Sequence, residues 1–183
     1  MIRLVIGTLF CASSFFTHAQ DYLQLSCDSV RFGKKESNVF IDLVSEKKIV
    51  GLGEATHGTS EFYKAKSEII KLLVQRTGFK TLAIETGFDA YLINSYLTGK
   101  ADDLAKPMRS FYLIYHTREF VELLTWLRNY NLSVSKEDQV TIYGIDNQHI
   151  GNLPDIIFGY LMEVDPVFVN EAQSRLTYLQ DKL

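Results

Sequence analysis

Cysteine is nearly missing from this chain: 183 residues hold two, Cys11 and Cys27, and the first lies in a stretch that reads as an export leader. With that stretch removed a single thiol is left, so no internal disulfide can form. No His or other base stands beside Cys27 in sequence, and it reads as an inert buried side chain. A cluster of Lys and Arg is also lacking, and the formal charge of −3 is mildly acidic, which argues against nucleic acid as a partner. There is no repeat and no low-complexity tract. After residue 20 no run approaches the roughly 20 apolar residues that a helix needs to cross a bilayer. The chain also has no Gly-x-Ser-x-Gly turn, the strained elbow that presents a serine nucleophile in many hydrolases.

What is present begins with the leader itself. "MIRLVIGTLFCASSFFTHAQ" has one positive charge at Arg3, an uncharged run over residues 4–16, and small residues three and one before a possible cut. That is the pattern of a secretory signal peptide. Residues 1–20 are expected to be removed after Ala19 or Gln20, changing the formal charge from −3 to −4 because Arg3 leaves. Phe10 precedes Cys11 where lipoprotein leaders place a small residue, so no lipid anchor is expected. The protein should therefore be exported, to the periplasm or outside the cell, with no membrane anchoring after cleavage. The remainder, residues 21–183, has the length of one domain and, with 46% apolar residues in the chain, enough to bury a core.

Three short β-type runs, at residues 48–53, 81–85 and 140–146, alternate with longer stretches of helical period. Such alternation predicts βαβ units and an α/β fold, with a mainly parallel sheet flanked by helices in three layers. The strand candidates are apolar almost throughout, as suits strands covered on both faces. Between the first two, Phe62, Ala65, Ile69, Ile70 and Leu73 recur at helical spacing. Thr59 or Ser60 can cap that helix, and Gly78 stands where it should end. A second helix is expected over residues 89–97. A third, over 117–129, has Phe120, Leu123, Leu124 and Leu127 as its inward stripe. Residues 97–108 read as a loop, and the chain after Asp146 reads as helical to its end.

On that topology Glu54 follows the first strand, Glu85 ends the second and Asp146 ends the third. In open α/β sheets ligands bind beyond the carboxyl ends of the strands, so these carboxylates are expected to converge there. His57 joins them from the turn "GEATHG". Acids are common at such positions for helix-dipole reasons alone, but Glu85 ends an apolar run and needs a partner there. A neutral His can take a proton from water while a carboxylate holds its tautomer. With Ser60 outside any nucleophile elbow and Cys27 distant in sequence, water is the better nucleophile.

"GEATHGTSEFYKAK", "GFKTLAIETGFDAY", "TREFVELLTWLRNYN" and "YGIDNQ", taken in order, resemble the erythromycin esterase family over residues 50–148. The resemblance implies a hydrolase that opens a macrolide lactone, or another ester, by water attack without a required metal or other cofactor, and links the protein to macrolide resistance and the response to antibiotics. It assigns His57 as the catalytic base, with Glu54 and Glu85 orienting and polarising it. The family usually has an Arg nine residues after this His, and Lys66 stands there; it keeps the charge but loses the planar two-pronged donor. Lys66, Asp146 and Arg118 are the expected substrate-binding residues. Members continue for roughly as long again with further His and Arg residues, so this chain is expected to be the N-terminal part of such a hydrolase domain, with the fold incomplete and its activity in isolation open. Its partner should be a small-molecule ester or lactone; oligomeric state is not legible.

Two other readings use the same residues. Glu54, His57, Glu85, Asp146 and His149 have the Glu-x-x-His and Asp-x-x-His spacings of a hard N/O metal site. An exported haem- or metal-binding protein of related fold would draw axial ligands from His116 and His149. Elsewhere "SFYLIYH" (residues 110–116) reads as core or pocket wall, and "SEKK" (residues 45–48) as a solvated turn.

Overall fold

The computed structural model describes residues 4–7, 34–146, 153–169 and 172. Its strands form one parallel sheet in the order β2-β1-β3-β4, made of β1 (Leu4–Gly7), β2 (Ile49–Leu52), β3 (Thr81–Gly87) and β4 (Thr141–Asp146). The alternation of strands and helices along the chain is as the sequence predicts, and β2, β3 and β4 fall on the three apolar runs.

The fourth strand is new. Residues 4–7 lie inside the stretch expected to be a leader, yet they pair in parallel with β2 through Leu4↔Ile49 and with β3 through Leu4↔Thr81. The uncharged run that suits a leader also suits a central strand, because both must be apolar. The Ala19–Gln20 cleavage site, Cys11 and Cys27 lie outside the described residues.

Helix α1 (Lys34–Val44), not foreseen from the sequence, leads into β2. After β2 comes α2 (Ser60–Thr77), whose N-cap residue Thr59 is extended and offers its carbonyl to the Phe62 and Tyr63 N–H groups. Its end is the expected one: Gly78 takes φ +71° and its N–H returns to the Leu73 carbonyl, a left-handed conformation that costs glycine nothing. The buried stripe is Tyr63, Ser67, Ile70, Leu73, Val74 and Thr77, turned partly away from the apolar residues that define it in sequence. Two of its polar members have partners: the Tyr63 hydroxyl donates to the Ile114 carbonyl at 2.6 Å and that of Thr77 to the Leu73 carbonyl at 2.7 Å.

Past β3 the expected second helix divides into a 3-10 turn (Phe88–Ile93) and α3 (Asn94–Leu97). The expected loop contains one short helix, α4 (Ala105–Met108). Helix α5 (Arg118–Ser133) starts at Thr117, whose hydroxyl oxygen accepts the Phe120 N–H, and buries Phe120, Leu123, Leu124 and Leu127 as predicted. Beyond β4 lies α6 (Leu153–Val164); the rest of the expected C-terminal helix falls mostly outside the described residues.

The core joins Tyr63, Ile70 and Leu73 of α2, Leu82 and Ile84 of β3, Phe120, Leu123 and Leu124 of α5 and Ile142 of β4. β3 is buried along most of its length, as expected of a central strand. β4, the edge strand among the described residues, alternates instead: Ile142 and Gly144 are buried while Tyr143 and Ile145 are exposed, so one of its faces is uncovered. Two asparagines occupy that edge. Asn131, fully buried, donates to the Val140 carbonyl at 2.9 Å and accepts the Val140 N–H at 2.7 Å. Asn94 does the same for Ile142 at 2.9 and 2.8 Å. Each side-chain amide stands in for a neighbouring strand, which satisfies edge groups that otherwise invite aggregation.

Candidate active site

The turn that follows β2 is built by "GEATHGT". Glu54 is the second residue beyond the strand. The backbone then reverses, closed by a 2.6 Å contact between the Thr56 and Thr59 hydroxyls and by Gly58 at φ +76°, a conformation that side-chain-bearing residues rarely take. This reversal folds His57 back onto Glu54. The His57 Nδ1 lies 2.6 Å from Glu54 Oε1, and Lys66 Nζ, from the second turn of α2, donates to Glu54 Oε2.

Exposure divides the three sharply. The Glu54 side chain is 5% exposed and that of Lys66 17%, but that of His57 is 57% exposed. Burial pushes the Glu54 carboxyl up; the hydrogen bonds from Lys66 and His57, with their charges, outweigh it and hold the group below the ordinary carboxylate range. Glu54 is therefore ionised and can only accept. It follows that His57 Nδ1 carries a proton, and in the neutral ring the lone pair is at Nε2. Tyr63 stands behind this group, pushed up to about 12 by burial and then by the negative charge of Glu54, so its phenol remains a donor.

The other expected site residues are placed differently. Glu85 lies in β3, one residue past Ile84, and Ile84 is level with Leu52 across β1. It shares the carboxyl end of the sheet with Glu54, but β1 lies between their strands, so the strands are two spacings, about 10 Å, apart. Leu82 and Ile84 point to α2 and α5, which by strand alternation turns Glu85 to the other face; it has no hydrogen bond or ion pair with Glu54 or His57 among the described residues. The expected convergence of Glu54, His57, Glu85 and Asp146 on adjacent strands is therefore corrected: β1, from a part of the chain not read as sheet, stands between β2 and β3, and Glu85 faces away from the Glu54–His57 pair. Asp146 ends β4, where its Oδ2 accepts from the Tyr112 hydroxyl at 3.2 Å.

Arg118 does not join the group. Its side chain is 87% exposed and its Nε donates to Glu122 Oε1 at 2.7 Å, the i,i+4 pairing favoured along a helix surface. His116 places Nε2 at 2.9 Å from the Met108 carbonyl and 3.1 Å from that of Phe111. Both partners only accept, so Nε2 is protonated and has no lone pair for an axial iron bond. His149 lies outside the described residues. Among those described, no three His, Cys, Asp or Glu side chains gather as a metal site would require.

Sequence reasoning passed over Tyr63 and Tyr112. A tyrosine on a buried helix stripe needs a partner for its hydroxyl, which was a signal for Tyr63. For Tyr112 the only sign was its place between the buried Phe111 and Tyr115 in a run read as wall.

The structure is thus a parallel α/β domain with a carboxylate-bound imidazole just beyond the carboxyl end of a strand. The comparisons narrow it: the family description "Erythromycin esterase" matches residues 74–182, and the chain belongs to the erythromycin esterase family. It is 33% identical over 141 residues to the protein YbfO of Bacillus subtilis (strain 168), covering 74% of this chain and 28% of that protein. To erythromycin esterase type II of Escherichia coli it is 28% identical over 107 residues, 57% of this chain and 24% of the relative. The fold is similar to that of a solved succinoglycan biosynthesis protein, with TM-score 0.73 at 23% identity over 86% of this chain and 40% of that one, and to that of a mutant of erythromycin esterase EreC in its open conformation, with TM-score 0.56 at 23% identity over 79% of this chain and 35% of that one. The matched region thus spans about a quarter of the curated relatives' length.

Proposed function

We propose that the protein is a hydrolase that cleaves an ester or a macrolide lactone by attack of water assisted by His57. The observation that carries this reading is the 2.6 Å contact between His57 Nδ1 and Glu54 Oε1, which directs the Nε2 lone pair away from the buried carboxylate. A water on Nε2 loses its proton to the ring as it attacks the ester carbonyl. The same nitrogen then returns the proton to the departing alkoxide, so one group serves as base and acid in turn. Glu54 fixes the tautomer, and Lys66 keeps Glu54 ionised and still. The names of the relatives support the substrate class; a macrolide lactone as substrate would make the protein a resistance determinant. Export belongs to the same reading, supported by the leader-like N-terminus. Removing residues 1–20 would take β1, the strand between β2 and β3, out of the sheet; N-terminal sequencing of exported protein that starts at Met1 would refute cleavage.

General-base assistance contributes about 10²–10⁴-fold, or about 3–5 kcal/mol of barrier. His57→Asn in the full-length protein is expected to lose hydrolysis of lactones and simple esters on that scale while circular dichroism stays unchanged. A folded variant that keeps most of its rate would show that His57 only shapes the turn.

A further inference from the structure

The turn that carries His57 is not held by burial: Ala55, Thr56, His57 and Gly58 are all exposed. What fixes it lies at its two ends. At the strand end Glu54 is buried and bound by Lys66. At the helix end Ser60, the first residue of α2, donates its hydroxyl at 2.5 Å to Glu119 Oε1 in the first turn of α5, across 59 residues of sequence. Ser60 is three residues from His57, and the 2.6 Å contact between the Thr56 and Thr59 hydroxyls closes the stretch between them.

Glu119 has what an anchor needs. The Ser60 hydroxyl, its own backbone N–H and the charges of Lys64 and Arg118 hold its carboxyl below the ordinary carboxylate range. It is therefore ionised and accepts from Ser60, and a short bond from a hydroxyl to a carboxylate is among the stronger hydrogen bonds. Lys64 Nζ stands 4.0 Å from the same oxygen, and the Glu119 side chain is only 18% exposed. The start of α5 is itself firmly seated. Thr117 caps it, and Phe120 packs against Tyr115, whose ring meets Tyr63 of α2 edge-on at 6.2 Å.

Resting on the hydrolase reading above, we infer that Glu119 is a positioning residue for the reaction: through Ser60 it fixes the α2 end of the turn and so keeps the His57 ring on Glu54 with Nε2 free for water. Glu119 touches neither substrate nor the reacting atoms in this scheme. Two tethers, Lys66 on Glu54 and Glu119 on Ser60, set where the ring stands, and the exposed residues between them tilt if either is cut. Misplacing a reacting group by about 1 Å can cost about 10²-fold in rate. Losing one tether while the other holds is a smaller disturbance, expected to cost about tenfold in kcat.

The test uses the full-length protein, with kcat and KM measured on simple esters and lactones and the His57 tautomer read from the NMR shifts of its ring nitrogens at a pH where the ring is neutral. Glu119→Ala and Ser60→Ala should each lower kcat about tenfold with KM little changed. The double variant should be no slower than either, because both cut the same bond. Glu119→Gln, whose amide oxygen still accepts from Ser60, should recover most of the rate lost in Glu119→Ala. In a His57→Asn background Glu119→Ala should cost nothing further, and in the protein that keeps His57 it should raise the Nε2–H tautomer at the expense of Nδ1–H. An unchanged kcat, a loss that persists undiminished without His57, or an unchanged tautomer ratio overturns the inference. If Glu119→Ala fails to fold, Ser60→Ala, which removes a single hydroxyl, carries the same test. If wild type hydrolyses no ester the hydrolase reading fails, whereas the hold of Glu119 on His57 is decided by the tautomer ratio alone.

Discussion

Asn131→Ala isolates one device on which the position of β4 depends. Asn131 is fully buried, and its amide makes both bonds to Val140, at 2.9 and 2.7 Å, while Val140 itself is 1% exposed. Truncation leaves a backbone N–H and a backbone carbonyl without partners in a place that water does not reach. Each stranded group costs about 1–3 kcal/mol, so the pair should cost about 2–6 kcal/mol, before a smaller loss for the cavity. Against a total stability of about 5–15 kcal/mol that is a large share. The assay is urea unfolding followed by circular dichroism, comparing midpoints at equal slope. Asn131→Asp serves as a control: its carboxylate can accept the Val140 N–H but cannot donate to the carbonyl, so it should also be destabilised. A loss below about 1 kcal/mol for Asn131→Ala would refute the argument and show that β4 keeps its edge satisfied by other means.

Gly144→Ala should be as damaging for a steric reason. A Cβ there would lie 1.8 Å from the Gly87 carbonyl oxygen and 2.6 Å from that of Thr86; both are backbone atoms, so β3 and β4 must part, at a cost of about 1–3 kcal/mol or more. Thermal unfolding that is unchanged would contradict the close approach at the bulge. The Glu54 carboxyl has its folded-state value below the ordinary 4.5, so the stability it contributes is present above that value and is lost as pH falls through the folded value. The stability gap between wild type and Glu54→Gln should therefore be constant near neutral pH and close on acidification below about 4.5; a gap independent of pH down to 3 would show that the ion pairs of Glu54 do not matter to folding. Lys66→Met should weaken the same acid dependence and lower ester hydrolysis through a less firmly held Glu54, whereas unaltered kinetics would remove Lys66 from the site.

Much of this could be read along the chain because the determinants are local. The apolar runs at residues 48–53, 81–85 and 140–146 became β2, β3 and β4, and Gly78 ended α2, since strand burial and a left-handed cap depend on a few consecutive residues. The pairing of Glu54 with His57 was legible too: three residues and a flexible Gly58 suffice to bring them together. Order within the sheet was not legible. Placing β1 between β2 and β3 requires residues more than forty positions apart to pair, and its apolar run had an equally good reading as a leader. That single insertion separates Glu85 from Glu54, a distance no local pattern contains. Tyr112 and Asp146, thirty-four residues apart, meet only because a buried threonine fixes one chain segment over the end of another strand. Arg118 shows the converse, since the acid it pairs with, Glu122, lies four residues along its own helix. Short-range geometry therefore assembled the imidazole and its carboxylate, while the order of the strands and the Tyr112–Asp146 contact came from packing between distant segments.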